Sequence, residues 1–85
     1  MAGRYELVYT RRAVKDIQRM DGLTKKRLAG KLAELRKDPL RLAKKLTHPK
    51  LGQYRYRLGN HRVVFDLKGR KIVVLRVGHR REIYR

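Results

Sequence analysis

The residues of this sequence whose types could do chemistry are cations clustered in its last third, together with a tyrosine near the end. Arginine suits phosphate groups, because its planar guanidinium donates two parallel hydrogen bonds to a pair of phosphate oxygens. Arginine is a poor proton carrier, since a pKa above about 12 leaves almost no neutral form at pH 7. The cluster therefore predicts a site that holds a phosphate and stabilises its charge, and it comprises Arg55, Arg57, Arg62, Arg80, Arg81 and Tyr84.

Cleavage of RNA would require three things from such a site. The 2′-hydroxyl must be activated, the phosphorane must be stabilised, and the leaving oxygen must be protonated. Arginines suit the second task, which is electrostatic, whereas Tyr84 or His79 would be better proton carriers. Carboxylates are too few and too scattered in the sequence to form a paired acid and base. The general base is therefore unassigned.

Two successive β-hairpins, over residues 54–85, are predicted to position this cluster. Apolar residues and arginines alternate over residues 54–58, which is the period of a strand with one apolar face. Gly59-Asn60 follows, and a glycine at the first turn position favours a two-residue type II′ turn. Counting outwards from that turn predicts the pairs Leu58–His61, Arg57–Arg62, Tyr56–Val63, Arg55–Val64 and Tyr54–Phe65.

This register places Arg57 and Arg62 directly opposite each other, with Arg55 on the same face. Like charges that face each other are unfavourable in a sheet. Asp66 is the one acidic residue nearby in the sequence, so an external anion is the natural partner of this face. The alternative is a solvated basic surface on a very basic protein. The opposite face of the hairpin is predicted to belong to the core, and it carries Tyr54, Tyr56, Val63 and Phe65.

The composition also indicates an anionic partner. The 85 residues include 25 lysines and arginines against 7 aspartates and glutamates, a net charge of +18. Such a surplus implies that the partner is a nucleic acid, an acidic protein or an anionic membrane. No apolar run approaches the ~20 residues of a membrane span, and no segment is typical of a signal peptide. We therefore expect a cytoplasmic location and no insertion into a membrane.

Other kinds of site are disfavoured by what the sequence lacks. The absence of cysteine excludes disulfides and thiolate metal sites. The three histidines, His48, His61 and His79, lack the spacing of metal ligands, so we expect neither a metal site nor a cofactor. A Walker loop, a dinucleotide fingerprint, a nucleophile elbow and an HExxH motif are all missing.

The N-terminal half is predicted to form a strand and two helices. Residues 4–9 alternate and are rich in β-forming residues, which predicts a first strand. Thr10 is predicted to cap the first helix, and Asp21-Gly22 to stop it. The apolar stripe of this helix is predicted to consist of Ala13, Val14, Ile17 and Met20.

A second helix is predicted to begin at a Thr24 cap and to run to about residue 37, with Leu28, Leu32 and Leu35 as its apolar stripe. Gly30 lies in its middle, where a glycine would allow close packing against the first helix.

Residues 40–52 are basic and could add one helical turn. Their lysines, Lys44, Lys45 and Lys50, are predicted to be surface charges, and phosphate contact, for which Lys50 is the candidate, is the alternative. Residues 72–77 are apolar on both faces except for Arg76, which favours an interior strand. The sequence thus predicts a single α+β domain over residues 1–85: an N-terminal strand, a two-helix hairpin, and an antiparallel sheet of three further strands.

The order of elements, with the motifs YRYRLGNHRVVF and IVVLRVGHRREIY, resembles the RelE toxins of the RelE/ParE superfamily over essentially the whole chain. The resemblance implies a toxin of a type II toxin–antitoxin system. RelE toxins are ribosome-dependent endoribonucleases that cut mRNA in the ribosomal A site and so inhibit translation. A small antitoxin, acidic or amphipathic and helical, is then the expected partner besides the ribosome and mRNA.

Matched residue by residue, the resemblance implies catalytic roles for Arg62, Arg80 and Tyr84, without a metal. It implies RNA or phosphate binding by Arg55 and Arg57, and we expect the basic residues Arg81 and Lys50 to be further RNA or phosphate contacts. Well-known members tend to carry lysine where Arg55 and Arg57 stand, so phosphate binding rather than proton abstraction is implied for both.

Two alternatives remain open at this point. ParE-type relatives share the fold, lack the ribonuclease residues and poison DNA gyrase by binding it; the presence of Arg62, Arg80 and Tyr84 disfavours that function here. A non-catalytic module that binds RNA or the ribosome would need no more than the net charge.

Overall fold

A five-stranded sheet runs through the computed structural model, which describes residues 4–47 and 50–79, and its strands lie in the order β1-β5-β4-β3-β2. The elements are β1 (Glu6–Tyr9), α1 (Arg11–Gln18), α2 (Gly22–Leu35), α3 (Pro39–Leu42), β2 (Lys44–Lys45), β3 (Tyr54–Leu58), β4 (His61–Lys68) and β5 (Lys71–His79). The helices α1 and α2 pack on one face of the sheet through a continuous apolar core. The predicted α+β class is therefore confirmed.

The two hairpins β3–β4 and β4–β5 form as the sequence predicts. All five predicted pairs between β3 and β4 are present. Gly59 has a φ of 60°, and Gly69 in the second hairpin has a φ of 59°, values that glycine adopts without strain. Tyr56, Val63 and Phe65 are buried on the core face, where the ring of Tyr54 stacks on Phe65 at 5.6 Å.

The edges of the sheet differ from the prediction. The strand β1 pairs with β5 in parallel, which places β5 in the interior as predicted. The prediction of three strands after the helices missed β2, which pairs antiparallel with β3 through Lys44–Arg55 and Lys45–Tyr54. Two residues are too few to show the alternation from which a strand is recognised in a sequence.

The helix α1 is capped as predicted but buries a different residue. The Thr10 hydroxyl accepts a hydrogen bond from the Ala13 N–H at 3.1 Å, and Ala13 is fully buried. The prediction that Val14 belongs to the buried stripe is wrong, because its side chain is 41% exposed. Asp16 is buried in this helix instead.

The cap of α2 lies three residues before the predicted cap. Asp21, and not Thr24, is the capping residue, since the Asp21 carboxylate accepts a hydrogen bond from the Thr24 N–H at 2.7 Å. The stripe of Leu28, Leu32 and Leu35 is buried as predicted. Close packing at Gly30 is not observed, because a Cβ at this glycine would meet no atom within 4 Å.

The face of the sheet away from the helices is partly covered by the chain that precedes β3. Gly52 has a φ of 150°, and a Cβ there would lie 2.6 Å from Val64 Cγ1 and 2.9 Å from Leu75 Cδ1. The Gln53 N–H donates to Asp66 Oδ1 at 2.8 Å and fixes this segment to β4. Within residues 4–47 and 50–79, no helix is long and apolar enough to cross a membrane.

Candidate functional site

A small cationic cleft lies on the sheet beside the edge strand β2. It has a volume of about 170 Å³. The cleft is lined by Leu42, Lys44, Arg55, Tyr56, Arg57 and Arg62. We call it the arginine cleft.

Strand geometry explains why the cations of the arginine cleft converge. Arg55 and Arg57 are two residues apart on β3 and so share a face. Arg62 is the cross-strand partner of Arg57, and Lys44 is the cross-strand partner of Arg55. Among the described residues, no acidic side chain lines this cleft. Its electrostatic potential is therefore positive, and it suits a phosphate.

Arg62 is the most deeply placed cation of the cleft. Its residue is 7% exposed, whereas Arg57 is exposed and Arg55 is half-buried. A buried guanidinium presents its donors in a fixed orientation, because packing restricts its rotamers. The cleft thus combines one buried cation with more exposed cations at its rim.

Tyr56 is also a lining residue of the arginine cleft, but its side chain lies on the core face and its phenol stays protonated at neutral pH. Burial raises the pKa of Tyr56, and the Glu34 carboxylate, to which its hydroxyl is hydrogen-bonded, raises this pKa further. A raised pKa makes the phenol a worse proton donor and excludes it as a base near pH 7. Tyr56 is therefore a core residue and not a candidate acid or base of the cleft.

His79, predicted as one of two better proton carriers, lies on the other face of the sheet. Its cross-strand partner is His61, with ring centroids 6.0 Å apart, and His61 points away from its neighbour Arg62. A register shift in β5 causes this orientation of His79. Phe65 pairs with Val74 and Val64 pairs with Arg76, so one extra residue of β5 lies between the two pairs. Without that bulge, the alternation would place His79 on the face of Arg62.

The two histidines line a separate cleft of about 380 Å³ between the sheet and the helices. Its other lining residues are Asp16, Arg19, Met20, Asp21, Thr24, Val77 and Gly78. No group of three or more histidine, aspartate or glutamate side chains within the described part of the chain is arranged to hold a metal ion.

The end of β5 is held from the helix side by Asp16. The strand β1 pairs with β5 only as far as Val74. Beyond that point, Asp16 Oδ2 accepts hydrogen bonds from the Val77 N–H at 2.9 Å and from Arg76 Nε at 3.2 Å. The next residue, Gly78, is the cross-strand partner of Arg62. The helix α1 thus replaces the missing edge strand and fixes the strand that flanks Arg62.

Of the remaining predicted site residues, the structure describes only Lys50. Lys50 is exposed and does not line the arginine cleft. Arg80, Arg81 and Tyr84 lie outside the described residues, so their roles stay predictions. Lys44, predicted to be a surface charge, is a lining residue that the predicted set omits. The sequence did not indicate its place beside Arg55, because the pairing of β2 shows no local pattern.

Comparison with known proteins places this fold among the RelE toxins. The chain is similar to the RelBE2 toxin–antitoxin complex of Mycobacterium tuberculosis, with 25% identity, a TM-score of 0.81, and coverage of 91% of this chain and 99% of that one. It is similar to the RelB–RelE complex of Methanococcus jannaschii, with 30% identity, a TM-score of 0.71, and coverage of 91% and 94%. The isolated RelE toxin of E. coli gives 27% identity, a TM-score of 0.75, and coverage of 94% and 90%.

The fold and the cationic cleft thus define a small toxin of the RelE/ParE superfamily, as the sequence motifs predicted. The family described as "ParE toxin of type II toxin-antitoxin system, parDE" matches residues 7–84. The chain belongs to this family. A search among curated proteins gives no match.

Proposed function

We propose that this toxin is a ribosome-dependent endoribonuclease that cleaves mRNA in the ribosomal A site and thereby inhibits translation. The observation that carries the proposal is the arginine cleft, in which Arg55, Arg57, Arg62 and Lys44 converge without a lining carboxylate among the described residues. A scissile phosphate carries the negative charge that suits such a concentration of cations. The match to RelE toxins over most of the chain supports the same activity.

In the proposed reaction, the 2′-hydroxyl attacks the adjacent phosphorus and the 5′ oxygen leaves. The negative charge on the phosphorane is stabilised by Arg62, whose buried guanidinium is held in place before the substrate arrives. Arg55 and Arg57 bind the flanking phosphates from the rim. Arg80 and Tyr84 are further catalytic candidates, assigned by the resemblance, and the basic residues Arg81 and Lys50 are further candidate RNA contacts. Stacking on a base suits Tyr84.

The proposed partners are a cognate antitoxin, the ribosome and mRNA. The M. tuberculosis and M. jannaschii relatives are each found in a complex with an antitoxin. A net charge of +18 favours an acidic or amphipathic helical antitoxin, since such a partner would neutralise the basic surface. Ribosomal RNA and mRNA are polyanions that the same charge would attract.

A second candidate function is poisoning of DNA gyrase. The observation that favours it is the family match, which is to the ParE toxins. A gyrase poison would bind a protein surface and would not need cations converging on one small cleft. The arginine cleft therefore favours the nuclease.

The test is cleavage of mRNA by the antitoxin-free protein in a purified translation system, with the 5′ ends of the fragments mapped. Arg57→Ala and Arg80→Ala remove candidate site cations. Lys26→Ala, on the exposed face of α2 and outside the arginine cleft, is the matched control for charge. We expect cuts within translated codons that are lost in the two arginine variants and retained in Lys26→Ala.

Two results would contradict the nuclease. Intact mRNA together with gyrase-trapped DNA breaks in a parallel assay would establish the gyrase poison. Ribosome binding without any cleavage would establish a non-catalytic module.

A further inference from the structure

Among the described residues, Lys44 differs in chemistry from the other cations that line the arginine cleft. The other lining cations, Arg55, Arg57 and Arg62, are guanidinium groups. A lysine ammonium releases its proton far more readily than a guanidinium, because the guanidinium charge is delocalised over a planar group that is always protonated in proteins. Lys44 is thus the lining cation that can transfer a proton at a useful rate.

The fold places Lys44 in the cleft through a contact that is distant in the chain. The strand β2 pairs with β3 so that Lys44 faces Arg55, which itself shares a face with Arg57. Leu42, two residues earlier, lines the same cleft. The side chain of Lys44 is exposed at the rim, so water can restore a proton that it gives away.

The proposed nuclease needs a proton donor that the other described residues do not supply. The 5′ oxygen leaves poorly as an alkoxide, and its departure is faster when it takes up a proton. Tyr56 has a raised pKa and donates its hydroxyl hydrogen bond to Glu34. His61 and His79 lie on the opposite face of the sheet, in the other cleft.

We propose that Lys44 is a catalytic residue and the general acid of this site, a role that rests on the proposed nuclease function. The 2′ oxygen forms a bond to phosphorus while the bond from phosphorus to the 5′ oxygen breaks, and the electron pair of that bond goes to the 5′ oxygen. The 5′ oxygen takes a proton from Lys44 Nζ, and the 2′-hydroxyl proton passes to water. The products are a 2′,3′-cyclic phosphate and a 5′-hydroxyl, and Lys44 regains a proton from water.

Lys44→Arg is the decisive variant, because it keeps the charge and length of the side chain but removes its readily transferable proton. Lys45 supplies a matched control. It is adjacent, equally cationic, exposed and on the same strand, but it faces Tyr54 and does not line the cleft. We expect Lys44→Arg to lower the single-turnover rate of mRNA cleavage on the ribosome by ~10²-fold or more, with little change in apparent affinity. Lys45→Arg should cleave at the wild-type rate.

A substrate with a changed leaving group separates proton donation from charge stabilisation. When sulfur replaces the bridging 5′ oxygen of the scissile phosphate, the leaving thiolate needs no proton, since thiols are much stronger acids than alcohols. Lys44→Arg should then cleave this substrate at the wild-type rate. A defect that persists with the sulfur substrate would show that Lys44 acts only through its charge or structure, and would overturn the proposal.

The other possible results also test whether Lys44 is the general acid. If the wild type cleaves mRNA and Lys44→Arg cleaves the oxygen substrate equally fast, Lys44 is not the acid while the nuclease stands. If the sulfur substrate restored the cleavage rate of Tyr84→Phe but not that of Lys44→Arg, the general acid would be Tyr84. If the wild type cleaves neither substrate, the nuclease function fails and the role of Lys44 fails with it.

Discussion

Replacement of Asp16 by alanine should be among the most damaging single changes to this fold. The Asp16 side chain is 8% exposed, and its Oδ2 atom accepts hydrogen bonds from the Val77 N–H and from Arg76 Nε at 2.9 and 3.2 Å. Arg12, 4.0 Å from Oδ1, is 63% exposed, so its ion pair contributes little. The variant therefore removes two bonds to one buried carboxylate.

The size of the stability loss depends on the two donors that Asp16→Ala leaves without an acceptor. Val77 is 1% exposed, so its N–H would lose its acceptor where water has little access. A hydrogen bond to a charged group contributes ~1.5–3 kcal/mol, and an unsatisfied buried donor costs ~1–3 kcal/mol. Arg76 is 26% exposed and can turn towards water, which reduces its share. We expect a loss of about 3 kcal/mol in the free energy of unfolding, a large fraction of the ~5–15 kcal/mol of a typical domain.

The assay is urea unfolding followed by circular dichroism, together with amide hydrogen exchange. Asp16→Ala should lower the urea midpoint and remove the exchange protection of the Val77 amide. Asp16→Asn retains an acceptor for that amide and should restore part of both. Asp21→Ala also removes an aspartate that accepts a backbone hydrogen bond, but from the exposed cap of α2. It should have a much smaller effect and should leave Val77 protected.

Equal lowering of the urea midpoint by Asp16→Ala and Asp21→Ala would refute this structural role of Asp16. Unchanged protection of Val77 in Asp16→Ala would refute it as well, because the bond from α1 would then not hold the end of β5.

Three further predictions concern packing, pH and charge. Gly52→Ala should lower the free energy of unfolding by ~2 kcal/mol or more in urea titrations. The added Cβ would lie 2.6 Å from a Val64 methyl, at a φ that alanine rarely adopts. Gly30, whose site is open, is the control, and a smaller loss for Gly52→Ala than for Gly30→Ala would contradict this prediction. Burial raises the pKa of Tyr56, so the folded state holds the phenol proton more tightly than the unfolded state does. The free energy of unfolding should therefore fall as the pH rises above ~10, the pKa in the unfolded state, towards the higher pKa of the folded state. Urea titrations over that range should show a weaker fall for Tyr56→Phe; equal slopes would exclude this contribution. In filter-binding titrations with RNA at several salt concentrations, Arg57→Ala should reduce the slope of log K against log salt by ~1, and an unchanged slope would place Arg57 away from phosphate.

Much of this fold is encoded locally and could be predicted from the sequence. The β3–β4 register follows from the Gly59-Asn60 turn and a period of two residues, and all five predicted pairs are present. The buried leucine stripe of α2 follows from helical periodicity in the same way. The convergence of Arg55, Arg57 and Arg62 is a consequence of these local rules, so the central part of the site was predictable.

Contacts between distant segments could be decided only by the tertiary structure. The bulge in β5 turns His79 to the face opposite Arg62, because one extra residue reverses the alternation beyond it. Asp16 is buried because β1 ends before β5 does, and a carboxylate from α1 satisfies the exposed N–H of Val77. Lys44 enters the arginine cleft through a two-residue strand that no local pattern reveals. The sequence thus determined the arginines that can hold a phosphate, whereas long-range pairing decided which proton carriers lie beside them.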